Sequence, residues 1–161
     1  MTNQNNTTDK NINLLDTVRR LHFVGIGGSG MCPMAEILHH KDYIITGSDI
    51  NESDTLARIR SYGIPVHMGH RAENIGDAEV VFINKVRLTD EIFAACPNLK
   101  LVSILATGYN IVDLAAAKRR GITVCNVPGY STRAVVQMTF ALLLEICQQV
   151  GLHSGAVHTG R

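Results

Sequence analysis

A chain of 161 residues with an apolar share of 45% and a charged share of 18% has the size and composition of a globular protein with one core. Its net charge of +1 gives no electrostatic reason to expect a nucleic acid or an anionic membrane as partner. No apolar run is long enough to cross a bilayer, and the polar start lacks the apolar core of a signal peptide. We therefore predict a cytoplasmic protein whose residues 1–18 are disordered or loosely attached.

The chain alternates between apolar runs of strand length and segments in which apolar residues recur at helical spacing. A first strand at 21–25 leads into a glycine-rich turn and a helix from Met31. A second strand at 43–46 precedes Ser53, which is an N-cap candidate for a helix through Ile59. The later elements are a short helix before the fourth strand, helices at 89–95 and 111–120, and strands at 64–68, 79–83, 99–105 and 122–127.

The longest predicted helix covers residues 131–152 and carries apolar side chains over well more than one stripe of its surface. A helix of this kind is stable when it is covered on more than one side. We expect the sheet and a neighbouring element or a second subunit to pack on it, and a homodimer through this helix is one possibility. Beyond Gly151 the chain is small and polar, and we expect it to be loose.

The alternation of strands and helices predicts a parallel sheet with right-handed crossovers and helices on both faces. A first strand that runs into a glycine-rich turn is typical of a doubly wound nucleotide-binding fold. We predict one Rossmann-like α/β domain over residues 1–161 with strand order 3-2-1-4-5-6. The alternative is a flavodoxin-like order 2-1-3-4-5, which follows if residues 64–68 do not form a strand.

The motif Gly25-x-Gly27-x-x-Gly30 lies between the first strand and the first helix. In this pattern Gly25 permits the tight turn, Gly27 has no Cβ to keep a phosphate away, and Gly30 lets the helix approach the strand. Asp49 follows Gly30 by nineteen positions and is placed to accept hydrogen bonds from a ribose or a base. The alternative is a compact turn without a ligand, in which Asp49 only caps the next helix. The amides expected to point at an anion on the positive end of the helix dipole are those of Gly28, Ser29, Gly30 and Met31.

Three phrases stand out in the first half of the sequence. They are Leu-His-Phe-Val-Gly-Ile-Gly-Gly-Ser-Gly-Met at 21–31, Thr-Gly-Ser-Asp-Ile at 46–50 and Met-Gly-His-Arg-Ala-Glu-Asn at 68–74. Over about residues 20–78 they resemble the N-terminal, UDP-binding domain of UDP-N-acetylmuramate–L-alanine ligases. The resemblance implies a diphosphate at the glycine loop, with uridine near Asp49 and Ile50 and with His70 beside it.

A second resemblance covers about residues 79–161. Val-Phe-Ile-Asn-Lys at 81–85, Leu-Ala-Thr-Gly-Tyr-Asn-Ile-Val-Asp at 105–113 and Asn-Val-Pro-Gly-Tyr-Ser-Thr at 126–132 are similar to the substrate-binding, flavodoxin-like domain of D-isomer-specific 2-hydroxyacid dehydrogenases. That resemblance implies that the turn containing Thr107, Gly108 and Tyr109 presents amides to a substrate carboxylate. The other interpretation is an ordinary βα turn in which Gly108 supplies a positive φ angle.

The parts that both families need for catalysis are missing from these 161 residues. No G-x-x-x-x-G-K-[ST] phosphate loop for ATP is present, and the catalytic Arg, Glu and His and the NAD loop of the dehydrogenases come later in that family's sequence. We therefore predict no enzyme activity, no catalytic residues and no required cofactor. The predicted protein is an engineered or recombined chimera, with a family seam between positions 70 and 84, or a natural truncated gene with the same history.

Two functions remain open at this point. One is a module with a relic loop that binds UDP or a UDP-sugar, NAD, or phosphate or sulfate from the buffer, only weakly. The other is a purely structural domain. The histidines and cysteines show no metal-ligand spacing, so no metal site is predicted. We expect the widely spaced cysteines to pack as small apolar side chains rather than form disulfides; they are Cys32, Cys96, Cys125 and Cys147.

Overall fold

The computed structural model describes residues 14–160, and the chain groups into two compact units with their boundary after Asn126. The single-domain organisation over residues 1–161 therefore stays a prediction. The first unit holds strands and helices in alternation: β1 (Arg20–Val24), α1 (Met31–His39), β2 (Ile44–Asp49), α2 (Asp54–Ser61), β3 (Val66–Met68), α3 (Ala72–Ile75), β4 (Val80–Ile83), α4 (Asp90–Ala95), β5 (Leu101–Ile104), α5 (Leu114–Arg119) and β6 (Thr123–Cys125). The second unit holds α6 (Thr132–Gln148) and α7 (Val150–His158).

The six strands form one parallel sheet in the order β3-β2-β1-β4-β5-β6, which confirms the predicted Rossmann-like order. The flavodoxin-like alternative is wrong because β3 exists and pairs with β2, Asp49 lying opposite Met68. Strand β1 lies at the centre, paired to β2 on one side and to β4 on the other. The chain therefore reverses its direction of travel across the sheet between β1 and β4.

Each face of the sheet carries its own apolar core, because successive strand residues point to opposite faces. Helices α1 and α2 cover one face, where Leu21, Phe23 and Val80 are fully buried. Helices α3, α4 and α5 cover the other face, where Val81 and Ile83 are fully buried. Helices on both faces are the arrangement that the alternating sequence pattern predicts, and the structure confirms it.

The N-terminal segment differs in part from the prediction of a loose tail over residues 1–18. Residues 1–13 of that tail lie outside the described residues. Leu14–Thr17 form one turn of 3-10 helix, and Val18 is fully buried in the core beneath α1 and α2. An apolar side chain removed from water in this way anchors the chain before β1 begins.

The end of the chain also differs from the prediction. Gln149 takes the left-handed conformation with a φ of 49°, which ends α6. The chain then continues as α7, so the expectation of loose structure beyond Gly151 is wrong. The reason is local: the amide of Gly151 donates to Oε1 of Glu145 at 3.0 Å, and this side-chain cap satisfies an amide in the first turn of α7.

Helix α6 buries none of its side chains, and its apolar residues are exposed along its length; Ile146 is 74% exposed. A homodimer through residues 131–152 stays a prediction. Within residues 14–160 no single helix is long and apolar enough to cross a membrane, and only α6 and α7 together, bent by 58°, meet that test by length and composition.

The cysteines divide into two classes. Cys32 and Cys96 are buried, as expected of small apolar side chains, whereas Cys125 and Cys147 are exposed, which contradicts the expectation for these two. All four are free thiols. Cys125 ends the edge strand β6, where the sheet offers less cover than at its centre.

Candidate functional site

The candidate site lies at the carboxyl ends of the central strands, where the strand order reverses between β1 and β4. In an open parallel sheet the loops that follow the two central strands diverge at this point and leave a crevice between them. The glycine loop follows β1, and Asp49 ends the neighbouring β2. The fold therefore brings these predicted site residues together from separate parts of the sequence.

Gly25 makes the tight turn that the sequence predicted. Its φ is 80°, which favours glycine, and its amide donates to the carbonyl of Ser48 at 2.7 Å. Gly27 has a packing role that the sequence did not predict, because protein atoms lie where its side chain would be, and its predicted role towards a phosphate stays a prediction. A Cβ on Gly27 would lie 2.9 Å from Cδ2 of Leu56 and 3.0 Å from Oδ2 of Asp49. A side chain at this position would therefore displace Leu56 or Asp49, whether or not a phosphate binds.

The helix end offers fewer free amides than the four that the sequence predicted. The amide of Gly28 donates to the carbonyl of Gly25 at 3.0 Å, and the amide of Met31 donates to that of Gly28 at 3.0 Å. Among the residues described, the amides of Ser29 and Gly30 donate no hydrogen bond, and both residues are exposed. These two amides lie at the positive end of the α1 dipole, where an anion is stabilised.

Gly30 also has a different role from the predicted one. A Cβ at this position would meet nothing within 4 Å, so close approach of the helix to the strand does not explain the glycine. Its φ of −91° and ψ of −30° are open to other residues. Gly30 therefore has no packing reason to be glycine, in contrast to Gly27.

Asp49 binds the loop itself. Its Oδ2 accepts from the amide of Gly27 at 2.9 Å, and its Oδ1 accepts from the amides of Ile50 at 2.8 Å and Asn51 at 3.3 Å. A carboxylate can accept about four hydrogen bonds, so three internal donors leave room for about one donor from a ligand. Ile50 is 63% exposed beside it. The carboxylate that sequence reasoning assigned to a ribose or a base is thus first a structural clamp on the glycine loop.

His70 lies at the same edge of the sheet, in the loop between β3 and α3. It is half-buried, and its Nδ1 lies 3.1 Å from Oγ of Ser48. Ser48 also contacts Nε2 of the fully buried His22 at 3.3 Å, a residue that the sequence reasoning did not select. The available signal was a histidine inside an apolar strand predicted to be buried. Burial above all, and then the nearby His67 and His70, lower the pKa of His22 to about 4.

The second predicted binding turn follows β5 at the same edge of the sheet. Thr107, Gly108 and Tyr109 are exposed there, and the carbonyl of Thr107 accepts from Nδ2 of Asn126 at 2.7 Å. Gly108 is not among the glycines with a positive φ, so the interpretation as a turn that needs such an angle is wrong. Within the part of the chain that the structure covers, the amides of Gly108 and Tyr109 donate no hydrogen bond. The ligand roles of all these residues stay predictions.

The chain matches the sequence model of the D-isomer specific 2-hydroxyacid dehydrogenase catalytic domain over residues 51–155. The chain belongs to this family. The hydroxypyruvate reductase of Blautia hydrogenotrophica is 52% identical over 87 residues, which are 54% of this chain and 27% of the reductase. The predicted resemblance to dehydrogenases is confirmed, and the chain is a Rossmann-like domain related to them.

The resemblance to the ligases is also confirmed. The UDP-N-acetylmuramate–L-alanine ligase of Legionella pneumophila is 37% identical over 145 residues, which are 89% of this chain and 29% of the ligase. An alignment of that length includes residues on both sides of positions 70–84, and the dehydrogenase match already begins at residue 51. The two similarities therefore overlap. The family seam between 70 and 84 and an engineered or recombined origin stay predictions.

The fold has solved counterparts among dehydrogenases. The crystal structure of D-lactate dehydrogenase from Aquifex aeolicus, complexed with NAD and lactic acid, superposes with a TM-score of 0.58. That match has 21% sequence identity and covers 86% of this chain and 37% of the enzyme. The chain thus spans between a quarter and two fifths of the relatives reported above.

The prediction that this chain is not an enzyme is wrong. The matched family model is that of a catalytic domain, and the relative with 52% identity is a reductase. That prediction relied on the absence of catalytic parts from these 161 residues. Their absence does not decide whether the protein is an enzyme, because the chain spans only 27% of that reductase.

Proposed function

We propose that this chain supplies the nucleotide-binding and carboxylate-binding part of an NAD-dependent 2-hydroxyacid oxidoreductase. The observation that carries the proposal is the position of two turns with free amides at one edge of the sheet. The glycine loop follows β1 and the 106–109 turn follows β5, with only β4 between these strands. Two strand spacings amount to about 10 Å.

This separation suits a dinucleotide that crosses the point where the strand order reverses. Dinucleotides lie across that crevice with their diphosphate at the N-terminus of the first helix. The free amides of Ser29 and Gly30 are the donors available for the diphosphate, and Asp49 has room for one ribose hydroxyl. The β5 side of the crevice would then be left to hold the nicotinamide half.

At β5 the free amides of Gly108 and Tyr109 are the donors available for the carboxylate of a 2-hydroxy or 2-oxo acid. Backbone amides suit this task because they bind a carboxylate without adding a charge that would have to be desolvated. When bound, the nicotinamide ring supplies the hydride donor or acceptor. The residues of this chain bind and orient the two partners at the shared edge.

A UDP-sugar acid is the second candidate. It is favoured by the ligase similarity, which extends over 89% of this chain. UDP-N-acetylmuramate would occupy the same crevice with its diphosphate at Ser29 and Gly30 and its carboxylate directed towards β5. The two proposals differ in the nucleotide and agree on the two sets of amides.

Calorimetry with NADH and with UDP-N-acetylmuramate separates these proposals. We expect NADH to bind with a dissociation constant near millimolar, because an open crevice offers about 4 kcal/mol. We also expect hydroxypyruvate to bind more tightly once NADH is present. Binding of UDP-N-acetylmuramate with no response to NADH would favour the second candidate, and no response to either ligand would refute both.

Matched pairs of variants test whether the amides of Ser29 and Gly108 bind the two ligands. Ser29→Pro removes a loop amide and Ser29→Ala keeps it, while Gly108→Pro and Gly108→Ala make the same comparison in the second turn. A hydrogen bond to a charged group contributes about 1.5–3 kcal/mol, so each proline variant should weaken its own ligand about 10- to 100-fold. Each alanine variant should bind as the parent does, and melting curves verify that every variant is folded. Equal loss in both members of a pair would mean that the amide is not the ligand.

A further inference from the structure

Four polar side chains form a hydrogen-bonded row, called the file below, on the otherwise apolar face of the sheet that α3, α4 and α5 cover. They are Thr46, His22, Ser48 and His70. Its inner end is His22 on β1, which is fully buried. Nδ1 of His22 lies 2.8 Å from Oγ1 of Thr46, and Nε2 lies 3.3 Å from Oγ of Ser48, both on β2. Two partners for the two ring nitrogens offset the cost of burying an imidazole.

The same file reaches the candidate site, because Ser48 also contacts His70. Oγ of Ser48 lies 3.1 Å from Nδ1 of His70, and Ser48 is itself only 1% exposed. A hydroxyl has one proton, so Ser48 cannot donate to both imidazoles, and when it donates to one ring the other ring must donate to it. The proton positions on the two rings are therefore linked through a single buried hydroxyl.

The two histidines differ in their access to protons. Burial first, and then His67 and His70, lower the pKa of His22 to about 4, so His22 is neutral at pH 7. His70 is half-buried and lines a small cavity of about 30 Å³ together with Ser48, Arg71 and apolar residues. Among the described residues, Nε2 of His70 has no hydrogen-bond partner. This nitrogen is the group in the file that is left for a ligand.

The charged and titratable groups around the file come from three elements. His67 on β3 lies opposite Ser48 in the strand register, and Asp49 follows Ser48 on β2. Arg71 and Glu73 follow His70 at the start of α3. Helix α4 contributes the apolar Ile92 to the cavity. His67 is therefore the nearest imidazole that is not part of the hydrogen-bonded file.

We propose that Ser48 and His22 are positioning residues for His70, which presents Nε2 to a phosphate group of the bound nucleotide. Protonation of His70 reverses the direction of the hydrogen bonds that the Ser48 hydroxyl makes, and it converts His22 from the tautomer with the proton on Nε2 to the tautomer with the proton on Nδ1. The ligand in this inference rests on the nucleotide site proposed above, whereas the coupling between the histidines does not.

The proton balance is simple. With neutral His70, the Thr46 hydroxyl donates to Nδ1 of His22, Nε2–H of His22 donates to Ser48, and Ser48 donates to Nδ1 of His70. The file then takes up one proton from solvent, which resides on Nδ1 of His70 and donates to Ser48. Ser48 now donates to Nε2 of His22, and Nδ1–H of His22 donates to Thr46. His22 exchanges its proton between nitrogens and gains no charge.

Imidazole ¹⁵N chemical shifts test the coupling, because they distinguish the two neutral tautomers from the cation. The full ¹⁵N-labelled chain is titrated between pH 8.5 and 5.5. We expect His22 to change tautomer, without becoming charged, at the pH at which His70 gains its proton. A single His22 tautomer across the whole titration would refute the inference without any variant.

Two variants identify the connection. Ser48→Ala removes the bridging hydroxyl, so His70 should titrate while the His22 tautomer no longer responds. His67→Gln is the matched control, since it removes a neighbouring imidazole outside the file and should leave the coupling intact. Coupling that survives Ser48→Ala would contradict the assignment of the bridge.

Inorganic pyrophosphate tests the ligand. It should raise the pH at which His70 gains its proton, and the His22 transition should move by the same amount. If charged His70 binds pyrophosphate tenfold more tightly, both move by about one pH unit. Binding seen by calorimetry with neither histidine affected would refute the role of His70 and leave the nucleotide site intact. Absence of binding would count against the nucleotide site, while the pH titration alone would still decide the coupling.

Discussion

Acidification should destabilise the folded protein through His22 alone by a measurable amount. The ring is fully buried, and its pKa falls from the ordinary 6.5 to about 4. The unfolded chain therefore binds the proton first as the pH falls, and the free energy of unfolding decreases. The contribution of His22 is complete above pH 6.5, decreases between pH 6.5 and 4, and is constant at lower pH.

The magnitude follows from the two pKa values. A shift of one unit corresponds to 1.36 kcal/mol, so the full loss is about 3 kcal/mol. At pH 5 the unfolded state is almost fully protonated at this position and the folded state is not, which gives a loss of about 2 kcal/mol. That amount is a large share of the stability of an ordinary domain, about 5–15 kcal/mol.

Urea denaturation at pH 7.5 and pH 5.0, followed by circular dichroism, measures this loss in the wild type and in His22→Gln. Glutamine can donate and accept hydrogen bonds but does not titrate. The wild type should lose about 2 kcal/mol more than the variant between the two pH values, since contributions from other groups cancel in the difference. Equal losses would refute the conclusion that His22 is buried in its neutral form.

Other substitutions test the packing of the glycine loop and the hydrogen bonds of Glu79 at the start of β1. Gly27→Ala should lower the free energy of unfolding by about 1–3 kcal/mol, because its Cβ would lie 2.9 Å from Leu56. Gly30→Ala should change the free energy of unfolding by less than about 0.5 kcal/mol, because its Cβ would meet nothing within 4 Å. Equal melting temperatures of the two variants would contradict this contrast. Glu79→Gln should lower the free energy of unfolding by about 1–2 kcal/mol at pH 7, because Glu79 accepts hydrogen bonds from Lys100 and from the backbone amides of Arg19 and Arg20 at the start of β1. The hydrogen bond from Lys100, and then those from the two amides, lower the pKa of Glu79 to about 2. The difference in the free energy of unfolding between wild type and Glu79→Gln should therefore shrink as the pH falls from 4.5 to 2. A difference that stays constant over this range in urea titrations would argue against this role of Glu79.

The sequence was sufficient for the sheet because each strand is a short apolar run bounded by turn residues. β4 is the clearest case, with all four of its residues buried. The strand at 64–68 decided between the two topologies, and its confirmed part, Val66–Met68, is only three residues long. The break at Gln149 was not predictable from periodicity, because it depends on one residue in the left-handed conformation.

The position of the glycine loop was predictable from the sequence, and its packing was not. The glycine pattern located the loop between β1 and α1, but it did not show that a Cβ at position 27 would meet Leu56 or that position 30 faces open space. Those facts depend on how α2 packs on the loop. The contact between His22 and Ser48 depends on the register of β1 and β2, which places His22 opposite Thr46 and so diagonal to Ser48 on the same face of the sheet.

The strand pair at the centre of the sheet bears on how two family resemblances coexist in one chain. β1 belongs to the ligase-like phrases and β4 to the dehydrogenase-like ones, yet they pair in parallel, with Phe23 opposite Phe82. The rings of these two residues stack with centroids 4.5 Å apart. Val80 belongs to the core under α1 and α2, and Val24 belongs to the core under α3 to α5, so each core includes a strand residue from the other half. The glycine loop and the 106–109 turn are therefore held at one edge by packing that both halves share, and a change that loosens β1 against β4 should disturb both together.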